Sequence, residues 1–383
     1  MAAKKKTPKT EEAKKDKDLT PAEQFDDFLA SHDTHFNFAE DVDYKISSGS
    51  LKLDIEIGGG LHPGVVRFCG TTESGKTSAA LSFAKNFLDS VDNSFVFYVK
   101  AEGGARSADV LHRSGLDLEK YKDTFRVYKN NIYEEVINLI ETQVKNNPKR
   151  TRYMFILDSM DSLNLQADLK KNITGEESPK VAGAAGLSAL FLKRMTLMLC
   201  ELGHICIMMS QKRASMAVGK FDKDERFVTS SGGFALLHYS DWIFEFKERS
   251  KKHTIFQNSK AEGGEKYLSG NIIGHKCVIE FSKSPNEKKF VNVNYPIKHG
   301  RVGGRSIWRE SEVFEFLMAW KYISTKGSWI TVGEETLAQA KKDGHELIEK
   351  IQGEAKFKNY LEENPEVCDY FYNTFLTALK RDV

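Results

Sequence analysis

The fold is decided by one stretch of eight residues, Gly70-Thr71-Thr72-Glu73-Ser74-Gly75-Lys76-Thr77. The stretch fits the pattern G-x-x-x-x-G-K-[ST], with an apolar run at residues 65–69 before it and a helical stretch after it. Its glycines let successive backbone N–H groups turn inward around phosphate oxygens, and the N-terminus of the following helix adds positive potential. A Gly-rich turn can match the pattern by accident, but the strand, the helix and the spacing together predict a phosphate-binding loop.

Residues 70–78 form the predicted nucleotide site. Lys76 should reach the β- and γ-phosphates, and the Thr77 hydroxyl should bind Mg²⁺. Glu73 is unexpected in such a loop because a carboxylate repels phosphate, so we expect its side chain to point away. The other residues expected to contact the nucleotide are Gly70, Thr71, Thr72, Ser74, Gly75 and Ser78.

Apolar runs with the character of strands recur along the chain on both sides of this loop. Helical or Gly-rich stretches separate the first four runs, which predicts an α/β fold with a mainly parallel sheet and right-handed crossovers. The last two runs follow with little helix between them and indicate an antiparallel extension of the sheet. The clearest runs are residues 65–69, 94–99, 153–157, 205–210, 242–246 and 277–281.

Polar side chains follow three of these runs, and the carboxyl ends of parallel strands meet at the edge of a sheet where ligands bind. Asp158 is predicted to complete the Mg²⁺ site with Thr77. Glu102, in Lys100-Ala101-Glu102, is a candidate base for activating water, with Lys100 beside it as an ion-pair partner. Gln211 is a candidate sensor of the γ-phosphate. The alternative for each is an ordinary polar residue in a turn or a solvated loop.

The composition excludes several classes of protein. Lys plus Arg (56) nearly balance Asp plus Glu (54), so the net charge of +2 rules out a uniformly basic coat and any nucleic-acid surface must be local. The five cysteines have spacings unlike a zinc or disulfide pattern and indicate a reduced compartment. We find neither a signal peptide nor an apolar run long enough to span a membrane, and we expect a soluble cytoplasmic protein.

Changes in composition divide the chain into four parts. Residues 1–18 are rich in lysine, lack large apolar side chains and are predicted to be disordered. Residues 19–44 form an acidic arm with several aromatic rings, in which Thr20-Pro21 followed by Glu23 is typical of a helix start, and which we expect to contact a neighbouring subunit. Residues 45–305 form the core, and a Gly-rich linker at its end leads to a mostly helical C-terminal domain at 306–383.

Taken together, the ordered motifs resemble the bacterial RecA recombinase family, including the phage strand-exchange proteins related to UvsX. Residues 46–61 are similar to the entry segment of that family, and Asp158-Ser159 to its Walker B ending. Lys100-Ala101-Glu102 resembles an Asp-Ala-Glu motif whose Glu is the catalytic base. Ser210-Gln211 and Ser231-Gly232-Gly233 resemble the two ends of the second DNA-binding loop of the family. Motifs at residues 327–329, 350–353, 360–361 and 364–366 resemble its C-terminal domain.

The resemblance implies a RecA-like P-loop ATPase core with a short N-terminal arm and a small, mostly helical α/β C-terminal domain. It implies a DNA-dependent ATPase that uses ATP and Mg²⁺, forms helical homo-oligomeric filaments on single-stranded DNA and exchanges strands with homologous double-stranded DNA in recombinational repair. Single-strand-binding and loader proteins would be further partners. The compartment would be the cytoplasm of a bacterial or phage-infected cell.

Two loops, at about residues 165–186 and 212–230, are the candidate DNA contacts. The second combines cations that neutralise phosphates with aromatic rings that can stack on bases, and so long a loop between core strands is unusual unless it is functional or disordered. A solvated surface loop is the alternative. The candidate DNA-binding residues are Lys193 and Arg194, on the helix after the first loop, and Lys212, Arg213, Lys220, Phe221, Lys223, Arg226, Phe227, Gly232 and Gly233.

Three departures from the family pattern leave alternatives open. Lys100 stands where the family has an acid, and residues 103–115 contain no Tyr to stack on adenine. Lys283 matches the first of two family lysines that reach the nucleotide of a neighbouring subunit, but Pro285 occupies the second position, so the role of Lys283 in hydrolysis could be shared with Lys288 or Lys289. One alternative is a nucleotide-binding recombination mediator without strand exchange. The other is a hexameric helicase with the same core, which would need a longer N-terminal domain.

Overall fold

The structure is a computed structural model that describes residues 20–31, 44–103, 108–169, 182–212, 233–257 and 270–381. The chain divides into two compact units, residues 1–41 and 42–383. In the first unit, helix α1 spans Pro21–Ser31. The backbone N–H and the hydroxyl of Thr20 donate to Glu23 Oε2 over 2.7 and 2.8 Å, and the Thr20 hydroxyl accepts the Glu23 N–H. This reciprocal cap confirms the predicted helix start.

A large sheet forms the centre of the second unit. Its described strands are β1 (Gly64–Gly70), β2 (Ser94–Lys100), β3 (Phe125–Lys129), β4 (Arg152–Asp158), β5 (Ile205–Gln211), β6 (Trp242–Phe246), β7 (Thr254–Phe256), β8 (Ile272–Lys283) and β9 (Asn292–Lys298). They run in the order β3-β2-β4-β5-β1-β6-β8-β7, and β9 pairs with β8. Neighbours from β3 to β6 are parallel. The pairs made by β8 are antiparallel, as the sequence predicts for this end of the sheet.

Helices cover both faces of the sheet, so its central strands are buried on both sides. These helices are α2 (Leu51–Glu56), α3 (Lys76–Ser90), α4 (Ala108–Arg113), α5 (Tyr133–Lys145), α6 (Ala182–Glu201) and α7 (Gly233–Tyr239). On one face, Phe83 of α3 belongs to the same buried cluster as Phe68 of β1. On the other face, Ile140 of α5 and Leu192 of α6 share a cluster with Phe155 of β4.

The observed architecture confirms the predicted α/β class with its mainly parallel sheet. The six predicted runs all become strands, each of them within a residue of its predicted start and end except β8, which is much longer than predicted. Strands β3, β7 and β9 are not among the predicted runs. Residues 300–305, read as a linker, are packed against the core, because the N–H groups of Gly303 and Gly304 donate to the carbonyls of His112 and Arg113 over 3.0 and 2.9 Å.

The C-terminal region has its own apolar cluster. Its elements are α8 (Arg309–Ala319), β10 (Ile323–Lys326), β11 (Trp329–Val332), α9 (Glu334–Lys342), β12 (Lys350–Gln352), α10 (Glu354–Glu363) and α11 (Pro365–Arg381). Strands β10, β11 and β12 pair antiparallel in that order. The cluster gathers Phe314, Phe357 and Phe375, and Leu51 of α2 joins it. The described residues from 306 onward are therefore mostly helical with one small sheet, which is the secondary structure that the sequence predicts for this region.

The sequence predicts that no apolar run is long enough to span a membrane, and helix α6 must be compared with that prediction. Over Gly183–Glu201 it is long and apolar enough, by composition, to cross a membrane. In the fold, Leu192 and Met195 of this helix are completely buried in the second cluster, while Lys193 and Arg194 lie on its exposed side. Burial against the sheet therefore accounts for the apolar character of one side of α6.

Candidate active site

The loop between β1 and α3 has the backbone that its pattern predicts. Gly70 has a φ of 150°, and a Cβ at this position would lie 2.3 Å from the carbonyl oxygen of Phe246 on β6. Gly75 precedes α3 with a φ of 106°, in the left-handed region that favours glycine. Glu73 is exposed, which agrees with the expectation that its carboxylate points away from the loop.

Lys76 lies inside this loop. Its ammonium group donates to the carbonyl oxygens of Gly70 and Thr71 over 3.0 and 2.6 Å and lies 3.5 Å from Ser74 Oγ. Burial lowers its pKa from the usual value, while the nearby carboxylates of Asp158 and Glu102 act in the opposite direction. The loop therefore holds a buried cation at its centre, where an anionic phosphate group would balance the charge.

Asp158 and Thr77 lie close enough to share one ligand. The Thr77 hydroxyl donates to Asp158 Oδ2 over 3.0 Å, and the Tyr98 hydroxyl donates to the same oxygen over 2.8 Å. Asp158 is only 6% exposed. A hydroxyl and a carboxylate are oxygen donors of the kind that Mg²⁺ prefers, and Mg²⁺ usually takes its other ligands from phosphates and water. In the described part of the chain, no three His, Cys, Asp or Glu side chains gather into a metal site. The two oxygen donors of Thr77 and Asp158 fit a Mg²⁺ ion that takes its other ligands from a nucleotide and water.

Glu102 and Gln211 meet beside this pair. The Gln211 side-chain amide donates to Glu102 Oε1 over 3.0 Å, and the Ser159 hydroxyl donates to the same oxygen over 2.6 Å. The chain after β2 lies close to the end of β4, because the Ala101 N–H donates to the Asp158 carbonyl over 2.9 Å. The structure therefore brings together Lys76, Thr77, Glu102, Asp158 and Gln211, as the positions of these residues at strand ends predict.

Two charged residues near this cluster were not predicted from the sequence. Asp161, in the turn after β4, accepts the backbone N–H of Gln211 through Oδ2 over 2.5 Å. Arg67 of β1 is 5% exposed, and its Nε donates to Ser210 Oγ over 3.2 Å. Burial lowers the pKa of Arg67, and the nearby Asp161 carboxylate opposes that change. The only available signals were an arginine within an apolar run and a second acid close after Asp158.

A cavity of about 240 Å³ adjoins the phosphate loop along α3. Gly75, Ser78 and Ser82 line one side of it, and β8 and β9 contribute the opposite side. His275 Nδ1 and His299 Nε2 share a hydrogen bond of 2.9 Å at its wall. Burial lowers the pKa of His275 to about 4 and also lowers that of His299, so the pair is neutral at pH 7. The charged side chains that line the cavity are all basic: Arg113, Arg249, Lys298 and Arg301.

Lys283, the last residue of β8, pairs with Ile243 near the start of β6, whereas Gly70 at the phosphate loop pairs with Phe246 at the end of that strand. Its ammonium group donates to the carbonyl oxygens of Leu237 and His238 at the end of α7, over 3.1 and 2.8 Å. Lys288 pairs with Glu56 over 2.9 Å. The ammonium group of Lys289 lies 4.8 Å from the centre of the Phe290 ring. These lysines contact their own chain, and their contact with the nucleotide of a neighbouring subunit stays a prediction.

The structure describes only some of the residues that the sequence predicts to contact DNA. Lys212 pairs with Glu245 over 3.0 Å, and its N–H donates to the Gly70 carbonyl over 3.1 Å. On α6, Lys193 is exposed, and Arg194 lies 3.7 Å from Glu141. Gly233 is the first residue of α7. The candidates that lie outside the described residues are Arg213, Lys220, Phe221, Lys223, Arg226, Phe227 and Gly232.

The parallel sheet, the loop before α3 and the acid at the end of β4 define a P-loop nucleotide-binding fold. Comparison with known proteins identifies the family within this class: a family model described as the RecA N-terminal domain matches residues 35–283. The chain therefore belongs to the RecA family of DNA recombinases, as its ordered motifs predict.

Curated relatives agree with this assignment. The chain is 25% identical over 333 residues to Protein RecA of Petrotoga mobilis, which covers 86% of this chain and 78% of that protein. It is 24% identical over 337 residues to Protein RecA of Cutibacterium acnes, covering 87% and 83%. Protein RecA of Porphyromonas gingivalis is 25% identical over 321 residues, with 82% of each chain covered. The similarity thus extends beyond the ATPase core into the C-terminal region.

Proposed function

We propose that this protein is an ATP-dependent recombinase that forms filaments on single-stranded DNA and pairs it with homologous double-stranded DNA. The observation that carries the proposal is the joining of Glu102 and Gln211 by a 3.0 Å hydrogen bond beside the Asp158–Thr77 pair. A candidate base, a candidate phosphate sensor and a metal-binding pair thus occupy one edge of the sheet, as nucleotide hydrolysis requires.

Each residue of this cluster has a role in the proposed reaction. Lys76 and the loop N–H groups bind the phosphates. Thr77 and Asp158 would hold Mg²⁺, which would supply positive charge to offset that of the phosphate oxygens. Glu102 accepts a proton from the attacking water, and Ser159 fixes the orientation of its carboxylate. When the Gln211 side chain leaves Glu102, its amide N–H donates a hydrogen bond to the γ-phosphate. Lys283 would act on the nucleotide of a neighbouring subunit in the filament.

The cavity beside α3 is the proposed site of the base and ribose. It begins at Gly75 and continues along Ser78 and Ser82, so a nucleotide with its phosphates in the loop can extend into it. His299 is exposed at its rim and offers a flat ring against which a purine can stack. This assignment supplies the stacking ring that is missing from residues 103–115, on a different segment of the chain.

The proposed DNA contacts follow from the positions of the two loops. Residues 165–186 follow the end of β4, and residues 212–230 follow Gln211, so both begin at the edge of the sheet that carries the cluster. Lys212 and the basic residues after it would bind phosphates of single-stranded DNA. We place this activity in the cytoplasm of a bacterial or phage-infected cell, with single-strand-binding and loader proteins as partners.

A displacement-loop assay tests the proposal. Purified protein is incubated with ATP, Mg²⁺, single-stranded DNA and supercoiled homologous duplex, and filaments are imaged alongside. We expect displacement loops that require homology and are lost in Lys76→Ala. Nucleotide-dependent DNA binding without displacement loops would identify a mediator instead, and rings that unwind duplex would identify a helicase.

A further inference from the structure

At its carboxyl end, β5 extends beyond the last residue of β4 that pairs with it. Strands β4 and β5 pair only as far as Leu157 and Met208. On the other side, β1 pairs with β5 as far as Gly70 and Gln211. The N–H of Gln211 therefore has no β4 carbonyl opposite it. The Asp161 carboxylate takes that position and accepts the N–H over 2.5 Å.

A carboxylate is a stronger acceptor here than a backbone carbonyl, because hydrogen bonds to charged groups are roughly twice as strong as neutral ones. The neighbouring residue is held in a similar way, since Arg67 donates to Ser210 Oγ over 3.2 Å. A buried cation and a half-buried anion thus bind the last two residues of β5.

We propose that Asp161 is a positioning residue that anchors the backbone of Gln211, so that the side chain of Gln211 can change partners without displacing the strand. The inference rests on the proposed function, because the second partner is the γ-phosphate. With the backbone fixed, the amide has two defined positions, one on Glu102 and one on the nucleotide. Without the anchor, the end of β5 frays and the amide loses its alignment with both.

The same hydrogen bond connects the two candidate DNA loops. Asp161 lies in the turn that leads to residues 165–186, and Gln211 ends the strand that leads to residues 212–230. A change in the position of either Asp161 or Gln211 therefore acts on one hydrogen bond that lies beside Glu102. The Asp161–Gln211 contact is the proposed link between the two DNA loops and the hydrolytic residues.

The test compares Asp161→Ala, which removes the acceptor, with Asp161→Asn, which retains an oxygen at that position. Asp92→Ala removes an exposed acid at the opposite end of the sheet and serves as the control. The first measurement is amide hydrogen exchange of a peptide covering residues 205–212 without nucleotide. We expect Asp161→Ala to accelerate exchange at the end of this peptide by about 10-fold or more, as for the loss of one charge-assisted hydrogen bond. Asp161→Asn and Asp92→Ala should stay within about 2- to 3-fold of wild type.

The second measurement is DNA-stimulated ATP hydrolysis. Asp161→Ala should lower kcat by about 10-fold with KM for ATP unchanged, and Asp161→Asn should restore most of the loss. The inference is overturned if exchange in Asp161→Ala equals that of wild type, if Asp161→Asn behaves like Asp161→Ala, or if exchange rises while kcat is unchanged. Absence of ATPase activity in the wild type would instead refute the proposed function, and hydrogen exchange would still decide whether Asp161 anchors the strand.

Discussion

The side-chain amide of Gln211 donates to Oε1 of Glu102 over 3.0 Å, although 109 positions separate the two residues in the chain. Ser159 donates to the same oxygen. The candidate base is thus bound by the residue after Asp158 and by the residue from which the second candidate DNA loop begins. A ligand that draws Gln211 away removes one of two hydrogen bonds from Glu102. The first two predictions rest on this contact, because it joins the candidate base to the residue that precedes the second candidate DNA loop.

Glu102→Gln should separate nucleotide binding from hydrolysis. The substitution keeps the size of the side chain and one acceptor oxygen for Ser159 and Gln211, but removes the basic carboxylate. We expect ATP and DNA binding to persist while kcat falls by roughly 10²- to 10⁴-fold, the usual contribution of a general base. Steady-state ATPase rates with saturating single-stranded DNA measure the effect, and Glu135→Gln, on helix α5, is the control. A wild-type rate in Glu102→Gln would exclude this residue as the base.

Gln211→Ala should remove the coupling between the two ligands. We expect the variant to bind ATP, and to bind single-stranded DNA weakly through the cations of the loop. It should lose the ATP-induced gain in DNA affinity and the DNA-induced gain in ATPase rate together, because coupling between sites is reciprocal and typically amounts to 5- to 150-fold. Fluorescence anisotropy with and without a slowly hydrolysed ATP analogue measures the first gain. Retention of the full gain would assign the switch to another residue.

The central sheet could be predicted from the sequence for a physical reason. Strands β1, β4 and β5 are buried on both faces and therefore appear as continuous apolar runs. The edge strand β3 carries the exposed residues Arg126, Val127 and Lys129 and has no such signal. Strand β9 was missed for a similar reason, because it contains a proline and exposed asparagines.

The residues of the candidate site also fall into two groups: those that a local sequence pattern predicts and those that it does not. Lys76, Thr77 and Asp158 belong to a spacing pattern or follow an apolar strand, and each was predicted. Asp161 and the His275–His299 pair act through contacts between distant segments, which no local pattern encodes. Asp161 becomes significant only when the register shows where β4 stops pairing with β5. The histidine pair depends on the antiparallel pairing of β8 with β9, which places His275 opposite Ile297.

His299→Ala should weaken binding of the nucleoside part of ATP. Stacking of a base on a side-chain ring contributes about 1–3 kcal/mol, so KM should rise by roughly 5- to 150-fold while kcat changes little. His299→Phe keeps a flat ring and should retain most of the affinity. Inorganic triphosphate, which has no base, should bind wild type and His299→Ala equally. If affinity for triphosphate falls as much as affinity for ATP, the ring acts on the phosphates and the cavity is not the base site.

The last prediction concerns Glu312, a completely buried carboxyl group that connects α8 to the start of α2. The Ser50 hydroxyl and the Leu51 N–H donate to its two oxygens over 2.6 and 2.8 Å. Ser82 of α3 donates to the carbonyl of Ser48 in the same segment over 2.7 Å, so Glu312 joins the C-terminal region to the helix that follows the phosphate loop. Burial raises the pKa of Glu312 to about 8, against the effect of its hydrogen bonds.

Because the folded state binds a proton at Glu312 more tightly than the unfolded state, the stability supplied by this group is complete below pH 4.5. It is lost as the pH rises from 4.5 to about 8, at about 1.4 kcal/mol for each pH unit in which the two states differ by a full proton. Glu312→Gln cannot titrate, so the difference in Tm, wild type minus Glu312→Gln, should fall steadily across that range. Thermal unfolding at half-unit pH steps measures the difference, with Glu315→Gln, an exposed acid on the same helix that pairs with Lys52, as the control. A difference that stays constant from pH 4.5 to 8 would mean that Glu312 is ionised in the folded protein and is held by its two donors alone.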